Sequence, residues 1–355
     1  MRKYIYGVIE TGKPVTFGQS LLPSSPEEVY TVVHGDLAGV VSNYSRGDFA
    51  SLSREDKLRC LMVHQEVIER VMKEGYTILP VKFGTLVEGE DEVRRILEQG
   101  YEKLTQTLDQ MDGVVEIEVA ATWDLKKVLE EIGNEAEIKQ LKHSMAGKSA
   151  SEILEMQINA GKLVKESLDR RREDYRSQTI QSLEEIALDM QPNALVADAM
   201  VMNVAFLIQR EKQADFDSQV RRVDEGFNDQ INFRVIGPLP PYSFSTVEIK
   251  RPAPGEIEEV RQLLGLGTDV SDKELKEAYR RLAAKSHPDV HLDDDTSNEQ
   301  FAKVREAFVL LRNYCRGQSG SVKENVNGQR YSLMPEDVNQ AFLIEIKRPA
   351  LQTAE

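Results

Sequence analysis

The sequence predicts an α+β protein: a two-domain body of mixed helix and strand, followed by a small all-α helical hairpin. Three observations carry this. Over the first 250 residues, apolar runs rich in β-branched and aromatic side chains alternate with segments of helical periodicity. Between Ser271 and Leu311 the apolar residues recur at helical spacing only. The chain of 355 residues is long enough for two or three domains.

The first domain is expected over residues 1–113. Tyr4 to Ile9 reads as a strand, and Thr11 to Ser25, rich in Gly, Pro and Ser, as a loop. Val29 to Val33 and Leu37 to Ser42 read as two strands broken at His34-Gly35-Asp36. Ser53 with Asp56 resembles a capping box that opens a helix carrying Leu58, Leu61, Met62, Val67, Ile68 and Val71, and Gly75 ends it. Thr77 to Val87 is a further apolar strand region, and Asp91 to Met111 an amphipathic helix.

The second domain is expected over 114–250. Val114 to Trp123 reads as a strand and Ser151 to Asp189 as a long charged helical stretch. Leu195 to Gln209 suits a buried strand, Ala214 to Phe227 a helix and Ile231 to Ile236 a strand. Gly237-Pro238-Leu239-Pro240-Pro241-Tyr242 is expected to break the pattern before a short strand at Phe244 to Ile249. Such alternation suits helices on one face of a sheet, with a ferredoxin-like arrangement as the predicted form.

One internal echo stands out. Val247-Glu248-Ile249-Lys250-Arg251-Pro252-Ala253 recurs as Ile344-Glu345-Ile346-Lys347-Arg348-Pro349-Ala350. Either it marks a duplicated edge strand with the hairpin between the copies, or two strand ends are alike by chance. Residues 317–355 read as a linker and tail, the second copy being a candidate strand.

The hairpin is expected over 257–316. Ser271 and Glu274 form a capping box, and the helix behind it sets Leu275, Ala278, Tyr279, Leu282 and Ala283 on one face. Lys276 and Arg280 lie one turn apart on the other side, with Lys273, Arg281 and Lys285 nearby. Pro288 disfavours helical geometry in the residue before it, so the helix should stop near Ser286. After a loop with Asp293-Asp294-Asp295, Ser297 with Gln300 is expected to cap a helix carrying Phe301, Val304, Ala307, Phe308 and Leu311. A short helix around Ile257 to Leu264 can close the core, and His287-Pro288-Asp289 falls at the tip.

This segment resembles the J-domain of DnaJ-type co-chaperones. The match runs through Leu263-Leu264-Gly265-Leu266, Ala278-Tyr279-Arg280-Arg281-Leu282-Ala283, His287-Pro288-Asp289, Phe301, Ala307-Phe308 and Leu311. The resemblance implies that His287, Pro288 and Asp289, with Lys276, Arg280, Arg281 and Lys285, dock onto a DnaK-type chaperone and stimulate its ATPase. A basic helix face steers toward an acidic partner surface. Two departures stand out: Val260 and Arg261 replace an aromatic pair, and no fourth helix is evident at Gly317 to Gly320, which reads as flexible.

The body resembles the GvpL/GvpF family of gas vesicle proteins. The marks are Tyr4-Ile5-Tyr6-Gly7-Val8, Leu79-Pro80-Val81-Lys82-Phe83-Gly84-Thr85, Asn203-Val204-Ala205-Phe206-Leu207 and Gly237-Pro238-Leu239-Pro240-Pro241-Tyr242-Ser243-Phe244, in the family's order. The resemblance implies a ferredoxin-like second half and an accessory role in gas vesicle formation. The implied partners are the small hydrophobic shell protein and other accessory proteins. A minor structural part of the vesicle and a general DnaJ-type co-chaperone are the other readings.

A net charge of −15 argues against nucleic acid as the main partner. Cys60 and Cys315 are far apart and read as free thiols of a reducing compartment. No signal-like apolar region opens the chain and no run of 18 apolar residues occurs, so a cytoplasmic, gas-vesicle location without a membrane span is expected. His287 and His291 beside the aspartate run lack further convergent metal ligands, and no metal or cofactor is expected. Ala146-Gly147-Lys148-Ser149 lacks the first glycine and preceding strand of a phosphate loop. His34, His64 and His143 are isolated, and the basic cluster from Lys165 to Arg176 alternates with acids as a solvated helix face does. No nucleophile–base pair is found, and the chain reads as a binding protein, not an enzyme.

Overall fold

The computed structural model describes residues 1–20, 27–45, 49–144, 148–285, 295–317 and 330–348. They form two compact units. One joins Met1–Asp112 with Ser245–Lys347, and the other comprises Gly113–Phe244 and includes Arg348.

The first unit opens with strands β1 (Lys3–Glu10), β2 (Thr16–Ser20), β3 (Glu27–His34) and β4 (Leu37–Asn43), helix α1 (Arg54–Lys73), strands β5 (Ile78–Pro80) and β6 (Leu86–Val87), and helix α2 (Glu90–Met111). The antiparallel sheet has the order β2-β3-β4-β1-β5, with β6 also on β1. Tyr4 to Ile9 are buried without a break. The reason is that β1 is central and covered on both faces, which suits a continuous apolar run. On one side Ile5 and Val8 join Val93, Ile96, Leu97 and Leu104 of α2 in one core. Tyr4 and Tyr6 meet His64 of α1. Gly7 has no room for a side chain, since a Cβ there would lie 2.6 Å from Ile78 and 2.8 Å from the Leu79 carbonyl oxygen.

The predicted loop Thr11 to Ser25 contains a strand instead. β2 pairs along the β3 edge, with a register shift between Thr16 and Gln19 where Gly18 takes φ +76. Its glycine and serine look like loop residues, but an edge strand with a bulge tolerates them. In α1, Ser53 Oγ accepts the Asp56 N–H at 3.1 Å, as the cap predicts. Its inward face is Cys60, His64, Val67, Ile68 and Val71, while Leu58, Leu61 and Met62 are exposed. The region Thr77 to Val87 is two short strands, joined by a turn in which Gly84 has φ +85.

The second unit contains β7 (Val114–Thr122), α3 (Leu125–Ile132), α4 (Ala136–Ser144), α5 (Ala150–Glu184), β8 (Asp189–Pro192), β9 (Met200–Gln209), α6 (Gln213–Gly226) and β10 (Asn232–Leu239). The sheet order is β10-β7-β9-β8, all neighbours antiparallel. With β7-α5-β8 and β9-α6-β10 as its two halves, this is the ferredoxin-like arrangement. Val115, Ile117, Val119, Val204, Phe206 and Ile208 face Leu183, Phe216 and Val220 of the helices in one core.

Three details correct the expectation. The long helical stretch ends at Glu184 and not at Asp189, which instead opens strand β8 and pairs with β9. The strand expected from Leu195 begins at Met200, and Leu195 and Val196 are exposed. The break at Gly237-Pro238 lies inside β10, at a register shift between Ile236 and Leu239. β10 is an edge strand, so a proline there need not cost a ladder hydrogen bond.

The chain then returns to the first unit with β11 (Thr246–Lys250), α7 (Pro254–Leu264), β12 (Asp269–Ser271), α8 (Asp272–Lys285), α9 (Asp295–Gly317), β13 (Arg330–Ser332), α10 (Pro335–Val338) and β14 (Leu343–Lys347). The two echoed segments pair with each other: β11 and β14 are antiparallel, with Val247 opposite Ile346, Glu248 opposite Glu345 and Ile249 opposite Ile344. The strand assigned by pattern to the end of the second domain therefore lies in the first unit. The Lys82 N–H donates to the Val247 carbonyl at 2.8 Å, and Val247, Phe342 and Ile344 join the α2 core. Among the described residues no helix is long and apolar enough to cross a membrane.

Candidate functional site

The helical module is built around one core. Ile257 and Leu264 of α7, Leu275 and Ala278 of α8, and Val304, Ala307 and Leu311 of α9 are buried against one another. Each helix follows from local chemistry. Pro254 stands in the first turn of α7, where its missing N–H costs nothing. Gly265 ends α7 in the left-handed region at φ 64, which explains the Leu264-Gly265-Leu266 motif. At α8, Ser271 Oγ accepts the Glu274 N–H at 3.2 Å and Glu274 Oε2 accepts the Ser271 N–H at 2.8 Å, the reciprocal capping box. Tyr279 stacks on Phe308 with ring centroids 4.3 Å apart. α9 begins at Asp295, ahead of the predicted cap at Ser297, and runs unbroken to Gly317.

The outward face of α8 carries the predicted basic residues. Lys273, Lys276, Arg280, Arg281 and Lys285 are all exposed. Lys276 pairs with Asp272 one turn back, and Lys273 lies 4.0 Å from Glu277. Arg281 Nη2 reaches the Leu264 carbonyl at 3.5 Å. Arg280 and Lys285 make no ion pair among the described residues. His287, Pro288 and Asp289, with His291, lie outside the described residues.

At the first departure from the J-domain pattern, Val260 packs partly buried on the core. Arg261 bonds Glu258 at 2.6 and 2.5 Å and the Leu266 carbonyl at 2.6 Å, and its bonds with those of Gln262 hold the Glu258 carboxyl down to about 2. The second departure has a counterpart that sequence reasoning missed. Tyr331, Leu333, Val338, Ala341 and Leu343 enter the module's core from beyond α9. β13 pairs with β12, Leu333 N–H donates to the Thr268 carbonyl at 2.8 Å, and Tyr314 Oη–H donates to the Ser332 carbonyl at 2.7 Å. Tyr331-Ser332-Leu333 alternates as a strand does and Pro335 precedes a helical turn, but so short a signal is ambiguous by itself.

Elsewhere the sequence marks of the body are buried scaffolding. Tyr4 Oη accepts the Gly84 N–H at 3.2 Å and lies 2.9 Å from His64 Nδ1. Because that oxygen already accepts from Gly84, its own hydrogen is free to bond the imidazole. Burial lowers His64 to about 4 against a bond to the Val81 backbone, so the ring is neutral near pH 7. Tyr4-Ile5-Tyr6-Gly7 is thus joined to Val81-Lys82-Phe83-Gly84 through α1. In the second unit the buried Glu116 carboxyl accepts the Ser243 N–H and Oγ–H, each at 2.8 Å, and burial pushes it up to about 7.

The weaker candidates also resolve. Ser149 caps α5 through a reciprocal box with Glu152. Arg171 pairs with Glu131 and Glu135 at 2.9 Å, and Arg172 and Arg176 pair along their own helix. Burial pushes the Cys315 thiol up to about 12, well away from reactive thiolate. Among the described residues no three His, Cys, Asp or Glu side chains converge on a metal site.

The architecture agrees with known proteins. The profile of the family described as "Gas vesicle synthesis protein GvpL/GvpF" matches residues 2–246. The chain belongs to the GvpL/GvpF family. This family member also matches the DnaJ domain profile over residues 261–316. It is similar to gas vesicle protein F of Nostoc sp., 27% identical over 247 residues, covering 69% of this chain and 98% of that protein. The crystal structure of GvpF from Anabaena sp. PCC7120 superposes with a TM-score of 0.59 at 26% identity, covering 68% of this chain and 96% of that one. The DnaJ-like part of this GvpL/GvpF protein is similar to chaperone protein DnaJ of Halothermothrix orenii, 46% identical over 50 residues, 14% of this chain and 13% of that protein.

Proposed function

We propose that this GvpL/GvpF protein is a gas vesicle assembly factor that holds the hydrophobic shell protein and recruits a DnaK-type chaperone to it. The carrying observation is that a DnaJ domain is built into the same compact unit as the family's N-terminal sheet. A shell subunit with exposed apolar strands is prone to aggregate before it assembles. A binder that covers it and brings an ATP-driven chaperone to the same place raises the local concentration of both. Lys276, Arg280, Arg281 and Lys285 are the steering charges of the docking surface, and His287, Pro288 and Asp289 its specific contact.

Two measurements test this. Excess protein delays shell-protein aggregation in light scattering, and no delay refutes the client half. His287→Gln abolishes stimulation of a DnaK-type ATPase while leaving the thermal unfolding of the chain unchanged. Equal stimulation by both refutes docking through the tripeptide.

A further inference from the structure

The DnaJ profile ends at residue 316, yet the core it defines does not. Leu264, Leu275 and Leu311 are sealed by Tyr331, Leu333, Val338 and Ala341, all 6% exposed or less. Arg330, at the start of this segment, grips Asp269, which opens β12, and Glu274 in the first turn of α8. Its Nε donates to Asp269 Oδ2 at 2.8 Å, its Nη2 to the Asp269 carbonyl at 2.6 Å, and its Nη1 lies 3.2 Å from Glu274 Oε2. Glu274 is the capping-box acid, so Arg330 is bonded to the group that fixes the first turn of α8. The far end of the segment is anchored as firmly. Phe342 N–H donates to Gln99 Oε1 at 2.7 Å, Lys103 Nζ donates to the Ile344 carbonyl at 2.8 Å, and β14 pairs with β11. Arg251, just after β11, bonds Glu92 and lies 4.7 Å over the Phe342 ring.

We propose that residues 330–347 are a strap that sets how α8 is presented to its partner, and that Arg330 is the positioning residue. The basic face is then held at a fixed place on the N-terminal sheet and α2, not carried on a free tether. A rigid mount presents the helix with less orientational freedom to lose on binding. The strap also explains why the echoed strands exist: one enters the module and the other leaves it, and their pairing closes the mount.

This inference rests on the docking reading above, and the test separates the two. In the full chain, Arg330→Ala removes a partly exposed ion-pair network, so the concentration for half-maximal stimulation of a DnaK-type ATPase rises about three- to fivefold. The plateau and the global unfolding temperature stay as in the parent, amide hydrogen exchange quickens in the first turn of α8, and Arg330→Lys recovers part of the affinity. An Arg330→Ala chain with unchanged exchange at α8 overturns the strap, whatever the ATPase does. So does quickened exchange with an unshifted titration. A parent chain that never stimulates the ATPase overturns the docking reading instead, and the exchange result still decides whether Arg330 orders the helix.

Discussion

Glu248 and Glu345 stand directly opposite each other on β11 and β14. Like charges in this position repel. Three lysines answer them: Lys82 and Lys250 lie 2.5 and 3.1 Å from Glu248, and Lys347 lies 2.9 Å from Glu345. Lys82 holds the Glu248 carboxyl below the usual range, and Lys347 does the same for Glu345. The pairing of two near-identical strands is thus electrostatically conditional.

Lys250 bridges both acids, at 3.1 Å from Glu248 and 3.7 Å from Glu345. Lys250→Ala should lower stability by about 0.5–1 kcal/mol, a small drop in unfolding temperature. Lys250→Ala combined with Glu345→Gln should recover it, because the opposed charge is gone. Thermal unfolding of the single and double variants checks this, and a double variant no better than the single contradicts it.

His64 makes the N-terminal domain acid-sensitive. Its ring titrates near 6.5 when free and near 4 when folded, so folding favours the neutral form. The stabilisation is complete above pH 6.5 and is lost as pH falls toward 4, by about 3 kcal/mol over that span. His64→Gln should be less stable at pH 7.5 but flatter between pH 6.5 and 4. Urea midpoints against pH measure it, and parallel curves for both chains would contradict the assignment.

Glu116 acts in the opposite sense. Its carboxyl titrates near 4.5 when free and near 7 when folded. The folded state holds the proton more tightly, so stability declines as pH rises from 4.5 through 7. Glu116→Gln mimics the protonated form: its Oε1 can accept the Ser243 N–H while its amide N–H donates to Ser243 Oγ. It should match the parent near pH 4 and exceed it by about 3 kcal/mol above pH 8. Denaturant titrations at the two pH values decide it.

Gly7→Ala should destabilise the first unit by about 1–3 kcal/mol, because the new methyl meets both a side chain and a backbone oxygen of β5. The pair Gly7→Ala with Ile78→Ala should lose less than the two single variants together, since Ile78 Cγ1 and Cδ1 are the side-chain half of that clash. Calorimetric unfolding tests it.

Much of the fold was legible because local signals agree with the tertiary result. Tyr4 to Ile9, the Ser53 and Ser271 caps and the apolar stripe Leu275, Ala278, Leu311 all sit as their spacing predicts. β2 and β8 were not legible, since an edge strand needs little apolar character of its own. Nor could spacing place the Arg330 contacts, because Asp269 and Arg330 are far apart in the chain and meet only through β12 and β13.

By itself the sequence determined the type of each long element, the two family resemblances and the basic face of α8, because periodicity, caps and charge are properties of neighbours in the chain. Only the tertiary structure decided that the echoed strands pair, that residues 330–347 complete the helical module, and that His64 and Glu116 are buried among groups that move their protons. Those outcomes depend on which distant segments exclude water together, and no local pattern encodes that.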